Sequence, residues 1–499
     1  MADDTYDLVV IGGGINGAGI AADAAARGLK VLLAEAEDLA SATSSASSKL
    51  IHGGLRYLEH LDFRLVREAL AEREVLLRKA PHIVWPLRFI LPHVRGMRPR
   101  VLIRAGLFLY DHLALRHTLG GSRSINLEND PAGLPLAGDL KSGFAYWDCA
   151  VDDARLVVLN AIAAREAGAT ILTRTPVRGL EPHDGIWTVT LGMDARRVSA
   201  RTVVNAAGPW VGEVAKLVSV PHTPPLRPIR MVQGSHIVVP RIAGAQDAYT
   251  FQHSDRRVVF ALPFEYDFTL FGTTERALTG DPRSAAVSED EERYLLSVAN
   301  RFFRSAPRPD QIVWRFAGVR PLEETGKVSA SALSRDYHLR VETISSAPIL
   351  YVIGGKITTY RKLAETALDL LKSNLPPLRR GATATTPLPG GDLGGMPFET
   401  WFADLALRHA GFDRGYLYRL ARRHGERVAR IIEGATSEQD LGEDLGGGLR
   451  LREIVYLKSE EWAQTADDVL WRRTKAGLHI APENRARVAE AVQACLDKA

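Results

Sequence analysis

The stretch YDLVVIGGGINGAGIAADAAARGLKVLLAEAE, residues 6–37, restricts the possible folds more than any other part of the chain. Residues 8–11 form a short apolar run bounded by glycine, which predicts a buried strand. Small and apolar residues then recur at helical spacing from Ile20, and residues 30–34 predict a second strand. A strand, a glycine-rich turn, a helix and a strand in this order predict an α/β fold whose first unit binds a dinucleotide.

The glycines of this stretch follow the G-x-G-x-x-G spacing, and each has a physical reason. Gly12 permits a tight turn, Gly14 allows the backbone to approach a pyrophosphate, and Gly17 lets the helix pack closely on the strand. The helix N-terminus offers N–H groups to the same pyrophosphate. Glu35 ends the second strand, where its carboxylate is placed to accept from ribose hydroxyls. The predicted cofactor contacts in this unit are Gly12, Gly14, Ile15, Asn16, Gly17 and Glu35.

The segment SSASSKLIHGGLRYLEH, residues 44–60, favours FAD over NAD. Its hydroxyls and exposed backbone N–H groups suit a long second wrap around a pyrophosphate and the edge of a ring. By composition alone a solvated serine-rich loop is the default interpretation. The cationic and aromatic side chains that adjoin it favour a loop that faces a ligand. The predicted cofactor residues here are Thr43, Ser44, Ser45, Ser47, Ser48, Lys49, His52, Gly53 and Gly54.

A second glycine turn, in APILYVIGGKITTYRKLAE, predicts another part of the same site. A strand over residues 349–353 leads into two glycines and then a helix, whose N-terminus favours negative charge. We expect this turn to lie beneath the flavin pyrimidine, which gains negative charge on reduction. The strand that ends in NAAGPW predicts a further close approach of backbone to cofactor. The predicted residues are Val177, Ala207, Gly208, Gly355, Lys356, Thr358 and Thr359.

The bulk properties exclude several classes of protein. A hydrophobic content of 46% and a charged content of 24% are ordinary for a soluble globular chain. A net charge of +4 argues against a nucleic-acid binder driven by bulk charge. The two cysteines, Cys149 and Cys495, form no C-x-x-C and suggest neither a disulfide framework nor a metal site. We expect no signal peptide at the acidic start MADDTYD, and no run reaches the ~18 apolar residues of a membrane span.

The length of 499 residues predicts two or three domains. We predict a discontinuous dinucleotide domain from residues 1–80, 144–225 and 330–380. Strand signals predict a sheet-rich substrate or cap domain from residues 81–143 and 226–329. Residues 381–395 read as a linker of Gly, Pro and Thr, and residues 396–499 predict a separate helical domain.

Residues 82–117 combine arginines with aromatic and aliphatic side chains and contain one acid, Asp111. A basic, aromatic, amphipathic stretch can lie on an anionic membrane surface. The alternative is a helix pair that covers a core with its arginines solvated or paired, and the stretch alone slightly favours this alternative. The arginines are Arg88, Arg95, Arg98, Arg100, Arg104 and Arg116.

Together these motifs resemble the FAD-dependent (aerobic, respiratory) glycerol-3-phosphate dehydrogenases. The resemblance also covers DDARLV, GSHIVVP, GVRPL and, near the C-terminus, DDVLWRRTKAGL, so it spans nearly the whole chain. It implies an FAD-binding fold of the D-amino-acid-oxidase/glutathione-reductase type. It implies oxidation of sn-glycerol 3-phosphate to dihydroxyacetone phosphate in glycerol catabolism, with electrons passing from FAD to a membrane quinone. It further implies a homodimer bound peripherally to the cytoplasmic face of the inner membrane.

One position departs from the family pattern. Gln233 stands in RMVQGSHIVVP where close relatives carry lysine. If that lysine attracts phosphate, substrate affinity is weaker in this chain.

The proposed chemistry needs a cationic clamp for phosphate and a base for the hydroxyl proton. Arg56 and Arg320 are the clamp candidates, because the guanidinium fork binds phosphate bidentately. His236 is the first candidate for the base and a catalytic substrate contact, since imidazole titrates near neutral pH. A satisfied core histidine is nearly as good an interpretation, and His52 is the second candidate for the base. Two further substrate contacts are predicted, Tyr57 and Lys356. Arg320 and Lys356 are also predicted catalytic residues, and the charge of Lys356 would stabilise the reduced flavin or the substrate oxyanion.

Three alternatives remain open from the sequence. An oxidase of the same fold would pass electrons to oxygen from the same site. An amine or amino-acid oxidase would use arginine for a substrate carboxylate. A flavin-containing binding or RNA-modifying protein would need an extended basic face, which the net charge of +4 disfavours.

Overall fold

The fold is built on two large sheets with helices packed against them. The computed structural model describes residues 5–94, 96–115, 118–220, 227–253, 255, 257–323 and 337–498, without the side chain of His60. Arg95 and Arg116 of the basic stretch lie outside the described residues. The strands are β1 Thr5–Ile11, β2 Val31–Ala34, β3 Leu50–Ile51, β4 Val84–Pro92, β5 Arg123–Asn126, β6 Ser142–Val151, β7 Thr170–Leu172, β8 Val177–His183, β9 Ile186–Leu191, β10 Arg196–Asn205, β11 Ile229–Pro240, β12 Ala248–Gln252, β13 Val258–Phe264, β14 Phe268–Gly272, β15 Arg276–Leu278, β16 Trp314–Glu323, β17 His338–Ile344, β18 Ala347–Ile353, β19 Asp444–Gly446 and β20 Leu449–Arg450.

The α-helices follow the same chain order. They are α1 Ile15–Ala26, α2 Phe63–Lys79, α3 Arg100–His112, α4 Asp153–Glu166, α5 Val211–Ala215, α6 Glu289–Phe302, α7 Tyr360–Leu371, α8 Phe398–Arg408, α9 Arg414–His424, α10 Val428–Ile432, α11 Leu451–Glu461 and α12 Arg485–Lys498.

The first sheet has the strand order β17-β18-β10-β1-β2-β7, with β8 and β9 attached beside β10. β1 runs parallel to β2 and β10, and β10 runs parallel to β18. Leu8, Val9 and Val10 are fully buried, because helices cover one face of this sheet and apolar side chains the other. The alanine-rich α1 packs closely against α4 and α7. The predicted βαβ unit is confirmed, and the carboxyl ends of β1, β10 and β18 meet at one edge.

The second sheet has ten strands in the order β15-β11-β14-β13-β12-β4-β6-β3, with β16 paired to β11 and β5 to β6. This corrects the predicted boundaries, because β6 was assigned to the dinucleotide domain but pairs with β4 from Val84↔Val151 to Pro92↔Gly143. β3, within the predicted first segment, joins the same sheet. Local sequence predicts a strand but does not identify its partner, so these segments were placed in the wrong layer.

Residues 82–117 do not form the predicted helix pair. They form β4 and then α3, since β4 finds an antiparallel partner in β6. α3 buries only Leu107, Tyr110 and Asp111. Much of the apolar surface of α3 is therefore exposed.

The C-terminal region is helical, as predicted, with the small hairpin β19–β20 added. It has its own core, which includes Phe402, Leu417 and Ile454. The predicted linker packs against the body, because Leu388 is buried and its N–H donates to the Lys79 carbonyl at 2.9 Å. Within the ranges that the structure describes, no helix is long and apolar enough to span a membrane.

Candidate functional site

A cavity of about 520 Å³ lies where the first sheet meets the second. The turns after β1, β10 and β18 form one wall, and the serine-rich loop that follows β2 forms another. Residues of β16 close the side toward the second sheet. The cavity is therefore at the carboxyl ends of parallel strands, where open α/β sheets bind ligands.

The glycine fingerprint shapes one end of this cavity. Gly12 has a φ of +109°, and a Cβ there would lie 2.6 Å from the Ala206 carbonyl oxygen. A Cβ at Gly17 would lie 1.9 Å from the Gly12 oxygen, so Gly17 serves helix–strand packing and does not line the cavity. The N-cap residue Gly14 has no side chain to cap α1, and the Ser44 hydroxyl accepts from the Ile15 N–H at 3.0 Å. The close backbone and the N-terminus of α1 together fit a pyrophosphate.

Glu35 lines the cavity beside this fingerprint. Its carboxylate accepts from the Gly13 N–H at 2.5 Å and from the Glu37 N–H at 2.8 Å. Burial raises the pKa of Glu35 above its usual value, and the two backbone N–H donors oppose that shift. Each carboxylate oxygen has a further lone pair, so a ribose hydroxyl can still donate to it.

The second glycine turn also forms part of the cavity wall, next to the fingerprint. Gly354, Gly355, Lys356 and Thr358 line it. The Asn16 amide donates to the Gly354 carbonyl at 3.0 Å, which joins the two glycine turns. A cavity with two adjoining backbone turns and Glu35 in its wall fits a dinucleotide such as FAD.

Arg320 brings a partly buried positive charge to the cavity that this turn lines. Among the described residues, no carboxylate or other acceptor bonds its guanidinium group. Burial lowers the pKa of Arg320 below its usual value. The Lys356 ammonium lies 3.6 Å from the centroid of the Tyr57 ring. This corner of the cavity is thus prepared for an anion.

A second cavity of about 160 Å³ adjoins the first. His52, Tyr57, Phe260 and Thr273 line both cavities and form their junction. Arg56 lines only the second cavity, 3.9 Å from Glu275. The two arginines of the predicted clamp therefore belong to adjoining cavities, and Arg56 already has a carboxylate neighbour.

His236 is not at the cavity wall, which corrects its predicted role as a base in contact with substrate. The side chain is buried behind Ser48, with Nε2 2.9 Å from the Ser48 hydroxyl oxygen, and it stacks on Phe316 at 4.8 Å. Burial, with Lys49 and Arg320 nearby, holds the pKa of His236 well below its usual value. The structure places the second candidate, His52, in the cavity instead.

Most of the other predicted cofactor residues do line the first cavity. They are Gly12, Gly14, Ile15, Asn16, Thr43, Ser44, Ser47, Ser48, Val177, Ala207, Gly208, Gly355 and Thr358. Gly54 lines only the second cavity. The remaining ones line neither cavity: Gly17, Ser45, Lys49, Gly53 and Thr359.

The residues outside the walls have structural partners. The Lys49 ammonium is buried and lies 2.9 Å from Asp153, because its left-handed backbone turns the side chain away from the cavity. The Gly53 N–H donates to the Tyr110 hydroxyl at 2.9 Å. Gln233 also points away, since its amide donates to Glu291 at 3.1 Å in a buried network. A direct effect of Gln233 on phosphate is therefore not supported.

The sequence analysis missed several residues of the walls. Phe260 and Thr273 join the two cavities, yet the alternation of a strand does not reveal which face meets a ligand. Trp210 stands in the motif NAAGPW, which was the available signal. Arg283 follows β15 of the second sheet, and its guanidinium carbon lies 4.9 Å from the Trp210 ring centroid. No local sequence pattern predicts this contact.

Comparison with known proteins identifies similar chains. The profile described as FAD dependent oxidoreductase matches residues 7–361, and the one described as C-terminal domain of alpha-glycerophosphate oxidase matches residues 381–498. A glycerol-3-phosphate dehydrogenase of Pseudomonas aeruginosa is 51% identical over 98% of this chain and 95% of its own. A D-erythritol 1-phosphate dehydrogenase of Brucella abortus is 48% identical over 98% of this chain and 97% of its own. The structure of a glycerol-3-phosphate dehydrogenase from Bacillus halodurans, complexed with FAD, superimposes with a TM-score of 0.73 and 27% identity, covering 100% of this chain and 96% of that one.

Proposed function

The chain belongs to the family of FAD-dependent glycerol-3-phosphate dehydrogenases, within the wider FAD-dependent oxidoreductases, and from this premise we propose that it oxidises sn-glycerol 3-phosphate to dihydroxyacetone phosphate and delivers the electrons to a membrane quinone. FAD is its cofactor, and the two glycine turns and Glu35 are the groups that would hold it. When bound, FAD supplies the acceptor for a hydride from the substrate carbon.

The single observation that carries the substrate proposal is Arg320. Its guanidinium group is partly buried, faces the cavity and has no protein acceptor among the described residues, so it can bind a ligand, and a phosphate matches its planar fork best. Arg320 lies in the same cavity wall as His52 and Lys356. A phosphate on Arg320 would therefore place the adjoining carbinol carbon near groups able to move a proton.

His52 is the side chain we propose as the base. It lines both cavities at their junction, and its backbone N–H is directed to the Thr358 hydroxyl at 3.3 Å. An imidazole can accept the proton of a secondary hydroxyl while the hydride departs from carbon. Lys356 would stabilise the negative charge that develops on the substrate oxygen, and Tyr57 would fix the position of Lys356 through its ring.

The acceptor and the location are part of the same proposal. α3 exposes Val101, Leu102 and Phe108, and Val101 is 81% exposed. Arg100 and Arg104 belong to the same helix, so an apolar face is flanked by positive charge. This combination supports peripheral docking on an anionic membrane, where a quinone is reached without a spanning helix. The family resemblance alone supports the cytoplasmic face of the inner membrane and the homodimer.

The test is anaerobic mixing of the purified holoenzyme with sn-glycerol 3-phosphate. The yellow flavin absorbance should bleach, and a quinone analogue should restore it much faster than oxygen does. Rapid recovery of the absorbance with oxygen alone would show that the enzyme is an oxidase and not a dehydrogenase. Bleaching by amino acids or amines and not by glycerol 3-phosphate would show that the anion site binds a substrate carboxylate.

A second candidate substrate is a four-carbon polyol phosphate such as D-erythritol 1-phosphate. It is supported by the 48% identity to the Brucella abortus enzyme of that name and by the 160 Å³ cavity beyond His52 and Tyr57. A water needs only about 10–15 Å³ of such space, so the cavity has room for the one additional CHOH unit. Comparing kcat/KM for the two phosphates decides which is the preferred substrate.

A further inference from the structure

The C-terminal motif DDVLWRRTKAGL, residues 467–478, contacts the walls of the flavin cavity from behind. Its first part is a π-helical segment, Asp468–Arg473, an unusual conformation that often marks a functional position. Asp468 is fully buried and accepts from the backbone N–H groups of Gln464 and Thr465 at 2.8 and 2.9 Å. These contacts fix the segment, and its arginines then extend out of the C-terminal domain.

Both arginines of this segment bind the same carboxylate. Arg473 binds Asp38 bidentately, with both N–O distances at 2.7 Å, and Arg472 donates to the same carboxylate at 2.6 Å. Arg473 is 0% exposed and Asp38 2% exposed. Buried bidentate pairs of this kind restrict geometry as well as contributing energy. The position of Asp38 is therefore set by the C-terminal domain.

Asp38 belongs to the loop that covers the adenosine end of the cavity. Asp38 itself does not line the cavity. Its neighbours on both sides do, namely Ala36, Glu37 and Ala40. The Asp38 carbonyl accepts from the Ser41 N–H at 3.1 Å, and the Ala40 N–H donates to the Gly13 carbonyl at 3.1 Å. Asp38 thus belongs to the loop that runs from Glu35 to Ala40, the residue that bonds to the glycine fingerprint.

The same motif supports the other side of the site. Trp471 stacks on Trp314 at 5.1 Å, Trp314 packs on Phe316 at 4.6 Å, and Phe316 stacks on His236. Lys475 pairs with Asp152, next to the Asp153 that holds Lys49. Other contacts between α4 and the C-terminal domain, such as Arg427 with Glu166, do not touch a cavity-lining loop.

We propose that Arg473, assisted by Arg472, is a positioning residue for the cofactor: it holds Asp38 so that residues 36–42 keep the shape that binds FAD. The C-terminal domain is then part of the flavin site and more than a neighbouring unit. This role does not depend on which substrate the enzyme oxidises.

The experiment measures the affinity of the apoprotein for FAD. Arg473→Gln should weaken FAD binding about tenfold or more, because Asp38 loses the bidentate pair and keeps only its contact with Arg472, which lets the loop move. Arg473→Lys keeps the charge but loses the fork, and its affinity should fall between those of wild type and Arg473→Gln. Asp38→Asn should resemble Arg473→Gln, and the double variant should be no weaker than the worse single variant, since both remove one coupled pair.

The matched control is Arg427→Gln, which also removes an arginine from the interdomain contact. It should lower the melting temperature of the apoprotein while leaving FAD affinity within twofold of wild type. If Arg473→Gln lowered the melting temperature in the same way and also kept wild-type FAD affinity, the motif would serve only to join domains. If Arg473→Gln did not fold, the Arg473→Lys and Asp38→Asn affinities decide the same question.

Discussion

Ser48 separates His236 from the flavin cavity, since its hydroxyl oxygen lies 2.9 Å from His236 Nε2 and the serine itself lines the wall. His52 lines that wall directly. The two histidines of the sequence analysis therefore have different positions, and only one of them can reach a bound substrate.

The first prediction separates these histidines. His52→Asn should slow anaerobic flavin reduction by about 10²–10⁴-fold, the usual contribution of a general base. His236→Gln should slow flavin reduction far less, because His236 can affect the cavity only through its contact with Ser48. Stopped-flow bleaching at several pH values measures both, and flavin content per protein is the control. Equal losses in the two variants would contradict the assignment of His52 as the base.

The second prediction concerns phosphate binding. Arg320→Gln should raise the KM for glycerol 3-phosphate by about ten- to hundredfold, the effect of losing one charge-assisted contact of ~1.5–3 kcal/mol. Arg56→Gln should have a smaller effect, since Arg56 lies 3.9 Å from Glu275 in the adjoining cavity. Inhibition by inorganic phosphate should weaken in parallel with the change in KM. Wild-type KM in Arg320→Gln would contradict the phosphate site.

The third prediction concerns acid stability. Both ring nitrogens of buried His82 lack a hydrogen-bond partner among the described residues, and burial beside Arg155 and Arg422 holds the pKa of His82 well below 6.5. The unfolded state therefore binds a proton below pH 6.5 that the folded state does not bind, and stability falls as the pH falls. The loss approaches ~1.4 kcal/mol per pH unit from this group.

His82→Leu removes the titratable imidazole and places an apolar side chain in the same space. The difference in melting temperature between pH 7.5 and pH 5.5 should be smaller in the variant than in wild type. The buried His236, whose pKa is also lowered, stays in both proteins and contributes equally to each. Equal pH dependence in the two proteins would show that His82 has an ordinary pKa.

The fourth prediction concerns membrane docking. Leu102→Asp with Phe108→Asp should weaken sedimentation with anionic liposomes at low salt, because both side chains are exposed on α3. Leu407→Asp, on the exposed face of α8, is the matched control and should bind as wild type does. Activity with a soluble dye acceptor should be unchanged in all three proteins. Unchanged liposome binding in the double variant would exclude α3 as the docking surface.

The sequence predicted those parts of the fold whose reason is local. The order β1, Gly12–Gly14, α1, β2 and Glu35 follows from hydrophobic periodicity and from glycine positions that only a bare backbone can satisfy. α2 has the same local origin, because its apolar residues recur on one face.

Other features depend on partners far along the chain, which local patterns do not specify. β6 was placed in the wrong layer because its pairing with β4 is a tertiary choice. Lys49 and His52 are equally polar residues of one loop, yet only His52 faces the cavity. A backbone φ of +57° at Lys49 and the distant Asp153 decide that difference.

The strand order of the first sheet also determines when the flavin site can exist during synthesis. β1 is made first, but its neighbour β10 begins at Arg196, and the next strand, β18, begins at Ala347. The cradle for the cofactor closes only after both have left the ribosome, and the motif that holds Asp38 emerges later still. Such non-local pairing makes folding slow and leaves apolar strands exposed in the nascent chain. We therefore expect the N-terminal half of this protein to stay incompletely folded until most of the remainder has been translated.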